Sequence, residues 1–135
     1  MKKRYIFALI IFFISICYII ISLNSQTELN YYKESAPYIS DMFMKTTLLT
    51  DNENELLNNR SEIDKLVEKL KRVKKGFKTT AAQNFTNEFI DLSYNVNSLN
   101  LERVQNNNFN KQDELFERTK ELFEKYEEFN NIFNQ

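Results

Sequence analysis

The chain is 135 residues long, with 18 Lys and Arg against 19 Asp and Glu and no His, a formal charge of −1 that argues against a general nucleic-acid-binding surface. Without His there is no Ser-His-Asp or Cys-His site, no His-ligated metal and no His proton switch, and a single Gly, Gly76, is too few for phosphate-cradling or dinucleotide loops. The acids, such as Glu117, Glu121 and Glu124, are interleaved with Arg118, Lys120 and Lys125, the pattern of solvated helix faces rather than of paired catalytic carboxylates, so a non-enzyme without cofactor or metal is expected.

Lys2, Lys3 and Arg4 precede an uncharged, almost wholly apolar run from Tyr5 to Leu23. As a helix rising about 1.5 Å per residue it spans roughly 28 Å, close to the hydrocarbon thickness of about 30 Å. The three bases keep the N-terminus in the cytoplasm, and the first base after the run is Lys33. The expected division is a cytoplasmic tip at 1–4, a transmembrane signal anchor at 5–23 and an extracytoplasmic helical domain at 24–135. The tip is too short for an output domain, so any signal needs a partner. A cleaved signal peptide is the alternative, although Leu23 and Ser25 make a poor cleavage pair. A lipoprotein modified at Cys17 fits less well, because Ile16 precedes the thiol and the apolar Tyr18 to Ile21 follows it. Cys17 reads instead as a small hydrophobe within the anchor.

Within the anchor, Ala8, Ser15 and Ser22 recur every seven residues and form a small-residue face suited to membrane helix packing, by weak self-association or with a partner helix. Leu29, Ala36, Phe43, Thr50 and Leu57 continue the phase in a coiled-coil-like manner, with Ile11, Tyr18, Tyr32 and Ile39 three residues further along. Pro37 disfavours helix at Ala36, which suggests a kink or a restart capped by Ser35.

From Asn24 onward there are 112 residues, enough for one small domain, with 15 bases and 19 acids for a net −4. Apolar residues step by threes and fours. A rough stripe runs Tyr32, Ala36, Ile39, Phe43, Thr46 and Thr50 and ends near Leu57; a second runs Ile63, Leu66, Leu70, Val73 and Phe77. The clearest is Ala82, Phe85, Phe89, Leu92, Val96 and Leu99; the last is Leu115, Thr119, Leu122, Tyr126, Phe129 and Phe133. Ser61 with Asp64, Thr80 with Gln83 and Asn110 with Asp113 resemble N-caps, and Asn58-Asn59, Lys74-Lys75-Gly76 and Asn106-Asn107-Asn108 resemble stops. Helices are therefore expected at about 28–58, 62–75, 80–106 and 111–134, with 62–106 as one long helix if Gly76 is tolerated inside it.

One apolar stripe per helix must be buried, and Phe at 43, 77, 85, 89, 116, 123, 129 and 133 supplies the surface. The expected fold is all-α, an N-terminal transmembrane helix followed by a small antiparallel bundle of three or four helices. Aromatic stripes at this spacing are read as core rather than as the lining of a ligand pocket.

Lys69, Lys71, Arg72, Lys74, Lys75 and Lys78 place six bases in ten residues. The structural reading is the expected one, in which they complement a helix C-terminus or the acid-rich segment 111–134; the alternative is a polyanion contact with an anionic polymer, lipid headgroups or nucleic acid. Asn59-Arg60-Ser61 and Asn84-Phe85-Thr86 match the glycosylation pattern but coincide with cap and core positions. The richness in Lys, Asn, Ile and Phe is what AT-rich coding DNA yields, which suggests a bacterial envelope. The expected function is that of a single-pass membrane protein serving as an interaction or structural component of an envelope assembly, with the membrane and a protein as partners and no nucleic acid. The alternative is a secreted or surface-tethered module that binds a polyanion.

Overall fold

The computed structural model describes residues 2–76, 80–107 and 109–133, with the backbone alone described at 2–9, 76, 80 and 109. Phe77 and Lys78, and the side chain of Ala8, therefore lie outside the described residues. The fold is all-α: α1 (Lys2–Thr47), α2 (Glu53–Gly76), α3 (Thr80–Asn106) and α4 (Gln112–Ile132), with a single 3₁₀ turn at Phe109–Lys111 before α4.

The four helices run up, down, up and down. Lys45 pairs with Glu62 at 2.7 Å, and Lys69 lies over the Tyr38 ring at 5.6 Å, which sets α2 antiparallel to α1. The Tyr31 hydroxyl bonds Thr86, and Arg103 bonds Asp51, so α3 runs parallel to α1. Lys125 pairs with Glu88 at 2.7 Å and brings α4 back down α3. α1 and α3 touch across the middle, whereas α2 and α4 lie on opposite sides without contact among the described residues. One end, the root, is where the N-terminal part of α1 leaves the bundle; the end of α2, the start of α3 and the end of α4 lie there. The tip carries the α1–α2 turn and the 3₁₀ turn.

The first expected boundary is overturned. The apolar N-terminal segment and the first bundle helix are one helix, which ends at Thr47 instead of near 58. The stop at Asn58-Asn59 and the cap at Ser61 both fall inside α2. The true start is marked by Asn52, whose side-chain oxygen accepts the Glu55 amide at 3.3 Å while its carbonyl accepts the Leu56 amide. Asn52 and Glu55 have the spacing of a capping box. Thr50 therefore sits in the turn and Leu57 on an exposed face, so the seven-residue phase of α1 does not reach them.

Pro37 does not restart the helix. It lies within α1 on an exposed face, so the carbonyl that its missing amide leaves without a helical partner faces solvent rather than the core. Ser35 is buried and donates back to the Tyr31 and Tyr32 carbonyls at 2.8 and 3.2 Å, so it acts as an interior helix residue rather than a cap. α2 ends at Gly76 and α3 starts at Thr80, so 62–106 is two helices. α3 ends as expected at the Asn run, where Asn107 takes φ 47°, a left-handed conformation that Asn tolerates well. Asn110 lies in the 3₁₀ turn, and Lys111, without a side-chain cap bond, occupies the N-cap position of α4.

The core follows the four stripes. Tyr32, Ile39, Ile63, Leu66, Leu70, Ala82, Phe85, Phe89, Val96, Leu115, Leu122 and Phe129 are all buried. Aromatic rings tie the helices together: at the root Tyr32 meets Phe85 and Phe129 edge-on with centroids 5.8 and 5.9 Å apart, and nearer the tip Phe43 stacks on Tyr126 at 4.0 Å. Phe116 and Phe123 are not core as expected, being 67% and 49% exposed, and Phe133 is 39% exposed. The reason is that α4 has no neighbour on the side away from α1 and α3, although Phe123 still touches Phe43 at 4.9 Å.

Candidate functional site

Three features stand apart from the packed core. The first is the N-terminal stalk of α1. Every described side chain from Ile10 to Gln26 is exposed, and Phe12, Phe13, Ile14, Tyr18 and Ile21 each leave more than 60% of their surface open. Among the described helices it is the one long and apolar enough to cross a membrane. Soluble proteins rarely expose a contiguous apolar surface of this extent. Cys17 lies on this surface as a free thiol. Ser15 bonds the Ile11 carbonyl at 2.9 Å within its own helix, and Ser22 is exposed. Beyond the stalk, Ala36, Ile39 and Phe43 pack against the bundle core, which leaves the small-residue phase unpartnered only within the stalk.

The second feature is the C-terminal end of α2. Lys71, Arg72 and Lys75 are exposed and Lys74 is half-buried. The Lys71 ammonium bonds Glu68 at 2.7 Å and holds that carboxyl below its ordinary range, while Lys74 donates to the Asn87 side chain on α3 at 3.4 Å. Lys69 turns towards Tyr38 on α1. The acids of α4 are not the complement of this patch, because α4 lies on the far side of the bundle. Those acids are used locally instead: Lys125 bridges Glu88 and Glu128 at 2.7 and 3.3 Å, and Arg118 bonds Glu121 at 2.8 Å. The Glu88 carboxylate is the first cause of the raised Lys125 pKa, with Glu128 adding to it. Between α3 and α4, Glu88, Glu121, Glu124, Lys125 and Glu128 line an open groove of about 500 Å³ with Asp91 and Leu92.

A buried polar row is the third feature, and sequence periodicity did not single it out. Thr86, Ser93, Asn97 and Asn100 on α3 and Asn59 on α2 are all buried. Thr86, Ser93 and Asn100 are seven apart, in phase with Ala82, Phe89 and Val96, so α3 buries a wide face rather than one apolar line. Thr86 and Ser93 return their hydroxyls to the Ala82 and Phe89 carbonyls at 2.9 and 2.8 Å. The Asn100 side-chain oxygen accepts Arg103 Nε and Nη2 at 3.1 and 2.8 Å. Arg103 reaches on to Asp51 at 2.7 Å and so clamps the α1–α2 turn. Burial of Asn59 removes the first glycosylation match from the surface of the folded chain, whereas Asn84 of the second is exposed.

Tyrosines at the helix seams have raised pKa values. Burial, then the nearby Glu28 and Glu128, pushes Tyr32 up to about 12. Burial and the hydrogen bond to Asp64 do the same to Tyr94, also to about 12. Both positions are structural: Tyr94 donates to Asp64 at 2.6 Å beneath the Arg60 guanidinium. Among the described residues no group of three or more Cys, Asp and Glu side chains is gathered to hold a metal ion. No family model matches the chain, nor does any curated protein or solved structure.

Proposed function

We propose that the protein is a single-pass membrane protein whose four-helix bundle stands outside the cytoplasm and serves, without catalysis, as an interaction or structural component of a bacterial envelope assembly. One observation carries this: the apolar surface of α1 from Ile10 to Leu23 is covered by none of the described residues of the bundle, yet continues into it as the same helix. A helix so exposed gains its stability from surroundings that are not water. Residues 5–23 form the anchor, residues 1–4 remain inside under the pull of Lys2, Lys3 and Arg4, and residues 24–135 lie outside. The continuity of α1 supports a rigid union of bundle and anchor, so a protein partner that grips the bundle also fixes the membrane helix.

The test is extraction. An anchored protein stays with membranes in high salt and at alkaline pH and is released only by detergent; release by salt or alkali overturns the proposal. The alternative, a secreted module, draws support from the absence of any core residue before Tyr31 among the described residues, so that cleavage near Gln26 leaves the described core intact. A soluble extracytoplasmic form with a new N-terminus near Gln26 decides for it.

A further inference from the structure

We infer that the C-terminal end of α2 is a lipid-docking corner, at which Lys71, Arg72, Lys74 and Lys75 hold the bundle against the anionic headgroups of the bilayer that its own α1 spans. This rests on the anchored topology proposed above. The placement follows from the register. Lys45 with Glu62, and Lys69 with Tyr38, align α2 against α1 so that Lys75 is level with Tyr32 and Lys71 with Ala36. At about 1.5 Å per residue, those levels stand roughly 13–20 Å above Leu23, where the apolar run ends. The headgroup layer occupies about 5–8 Å of that distance. The flexible lysine stems cover part of the remainder, and the attraction itself extends over a Debye length of about 8 Å at physiological salt.

The charge distribution favours the same side. From Leu66 to Gly76, α2 carries five bases and one acid, in an outer region with a net charge of −4. The macrodipole rewards Lys74 and Lys75 in the last turn, but its effect falls off before Lys71 and Arg72. Arg72 and Lys75 make no ion pair among the described residues, and Lys71 has only the exposed Glu68 of its own helix. On the opposite side of the root, α4 presents Glu124, Glu127 and Glu128. An anionic surface therefore attracts the α2 side and repels the α4 side, and both effects lean the bundle the same way. A tilt of about 20°, ordinary for a membrane helix, brings a helix packed about 9 Å to one side some 3 Å nearer the lipid. Lipid rather than a soluble anionic polymer is favoured because the anchor holds this corner permanently within reach of the headgroups, across the gap that the lysine stems, the tilt and the Debye length span.

The experiment uses the full chain in vesicles, with Cys17→Ala and a donor dye on Ala81→Cys, an exposed position in the first turn of α3 at the root. Energy transfer to a headgroup-labelled lipid reports the distance. In vesicles in which a third of the lipid is phosphatidylglycerol, transfer should exceed that in pure phosphatidylcholine. It should fall back to that value at 1 M salt, where the Debye length is about 3 Å. Each base near an anionic surface multiplies the docked population about fivefold, so changing Lys71, Arg72, Lys74 and Lys75 together to Gln should reduce docking by at least a hundredfold. The salt response of the unmodified corner stands even if that variant folds poorly. Equal transfer in both vesicles, with the chain still floating with vesicles of either kind in high salt, overturns the docking while leaving the anchor intact; failure to float overturns the anchor itself. Loss of the lipid effect alongside tight, salt-sensitive binding of a soluble polyglycerophosphate also overturns it and assigns the corner to a polymer.

Discussion

The Tyr31 hydroxyl donates to the Thr86 hydroxyl oxygen across 2.8 Å of buried space, and Thr86 in turn donates to the Ala82 carbonyl at 2.9 Å. This chain joins α1 to α3 where the stalk enters the bundle, and burial pushes the Tyr31 pKa up. Thr86→Val keeps the shape but removes the acceptor, and a buried donor left without one costs about 1–3 kcal/mol. Adding Tyr31→Phe removes the stranded hydroxyl and should recover part of that loss, a coupling that denaturant titration of the four forms of a double-mutant cycle measures. Additive losses would show that the two hydroxyls act independently.

Residues 24–135 contain the whole described core, so this fragment should fold without the stalk, metal or disulfide. Within it, Phe89→Ala should cost about 3–5 kcal/mol, because Phe89 is fully buried. Phe116→Ala should stay within about 0.5 kcal/mol, the ordinary range at the surface. Thermal or urea unfolding gives both values. A small effect at Phe89 would place the α3 stripe on the wrong face.

The α1–α2 turn depends on Arg103. Replacing Arg103 with Gln removes the charged bonds to Asp51 and the Asn100 side-chain oxygen and should cost about 1.5–3 kcal/mol. Hydrogen exchange should quicken at residues 48–52 more than at the root. Uniform quickening along the whole bundle would contradict a local clamp.

Alkaline pH should weaken the bundle through Tyr32. Its pKa is about 12 in the folded chain against an ordinary 10.0, chiefly because of burial, so between these values the unfolded state gives up a proton that the folded state keeps. Stability then falls as pH rises through that window, by up to about 1.4 kcal/mol per pH unit for this group. Tyr32→Phe should make that part of the profile shallower, with Tyr94 and Tyr31 supplying the remaining slope, and identical slopes in the two proteins would remove Tyr32 as a cause.

How far the fold can be read from residues varies by helix. The stripe from Ala82 to Leu99 is plain because its steps alternate three and four, and the left-handed stop at Asn107 follows from its Asn neighbours. The first boundary is obscured because Leu48, Leu49 and Leu57 prolong an apolar pattern through a turn, which hides the Asn52 and Glu55 cap behind the more conspicuous Asn58-Asn59. The polar row of Ser93, Asn97 and Asn100 is missed because such side chains ordinarily face water, and only packing on two sides of α3 makes their burial visible. The basic corner is evident as composition, but its position at the root depends on the register of α2 against α1, which no local pattern encodes.

The anchored, outward-facing topology is tested most directly by protease added to intact spheroplasts, with the bundle followed by an antibody to its C-terminal segment. The bundle should be digested while a cytoplasmic marker survives, and the protein should remain in the membrane fraction of untreated cells with residues 5–23 still attached. Full protection of the bundle, or recovery of a soluble chain beginning near Gln26, would contradict this topology.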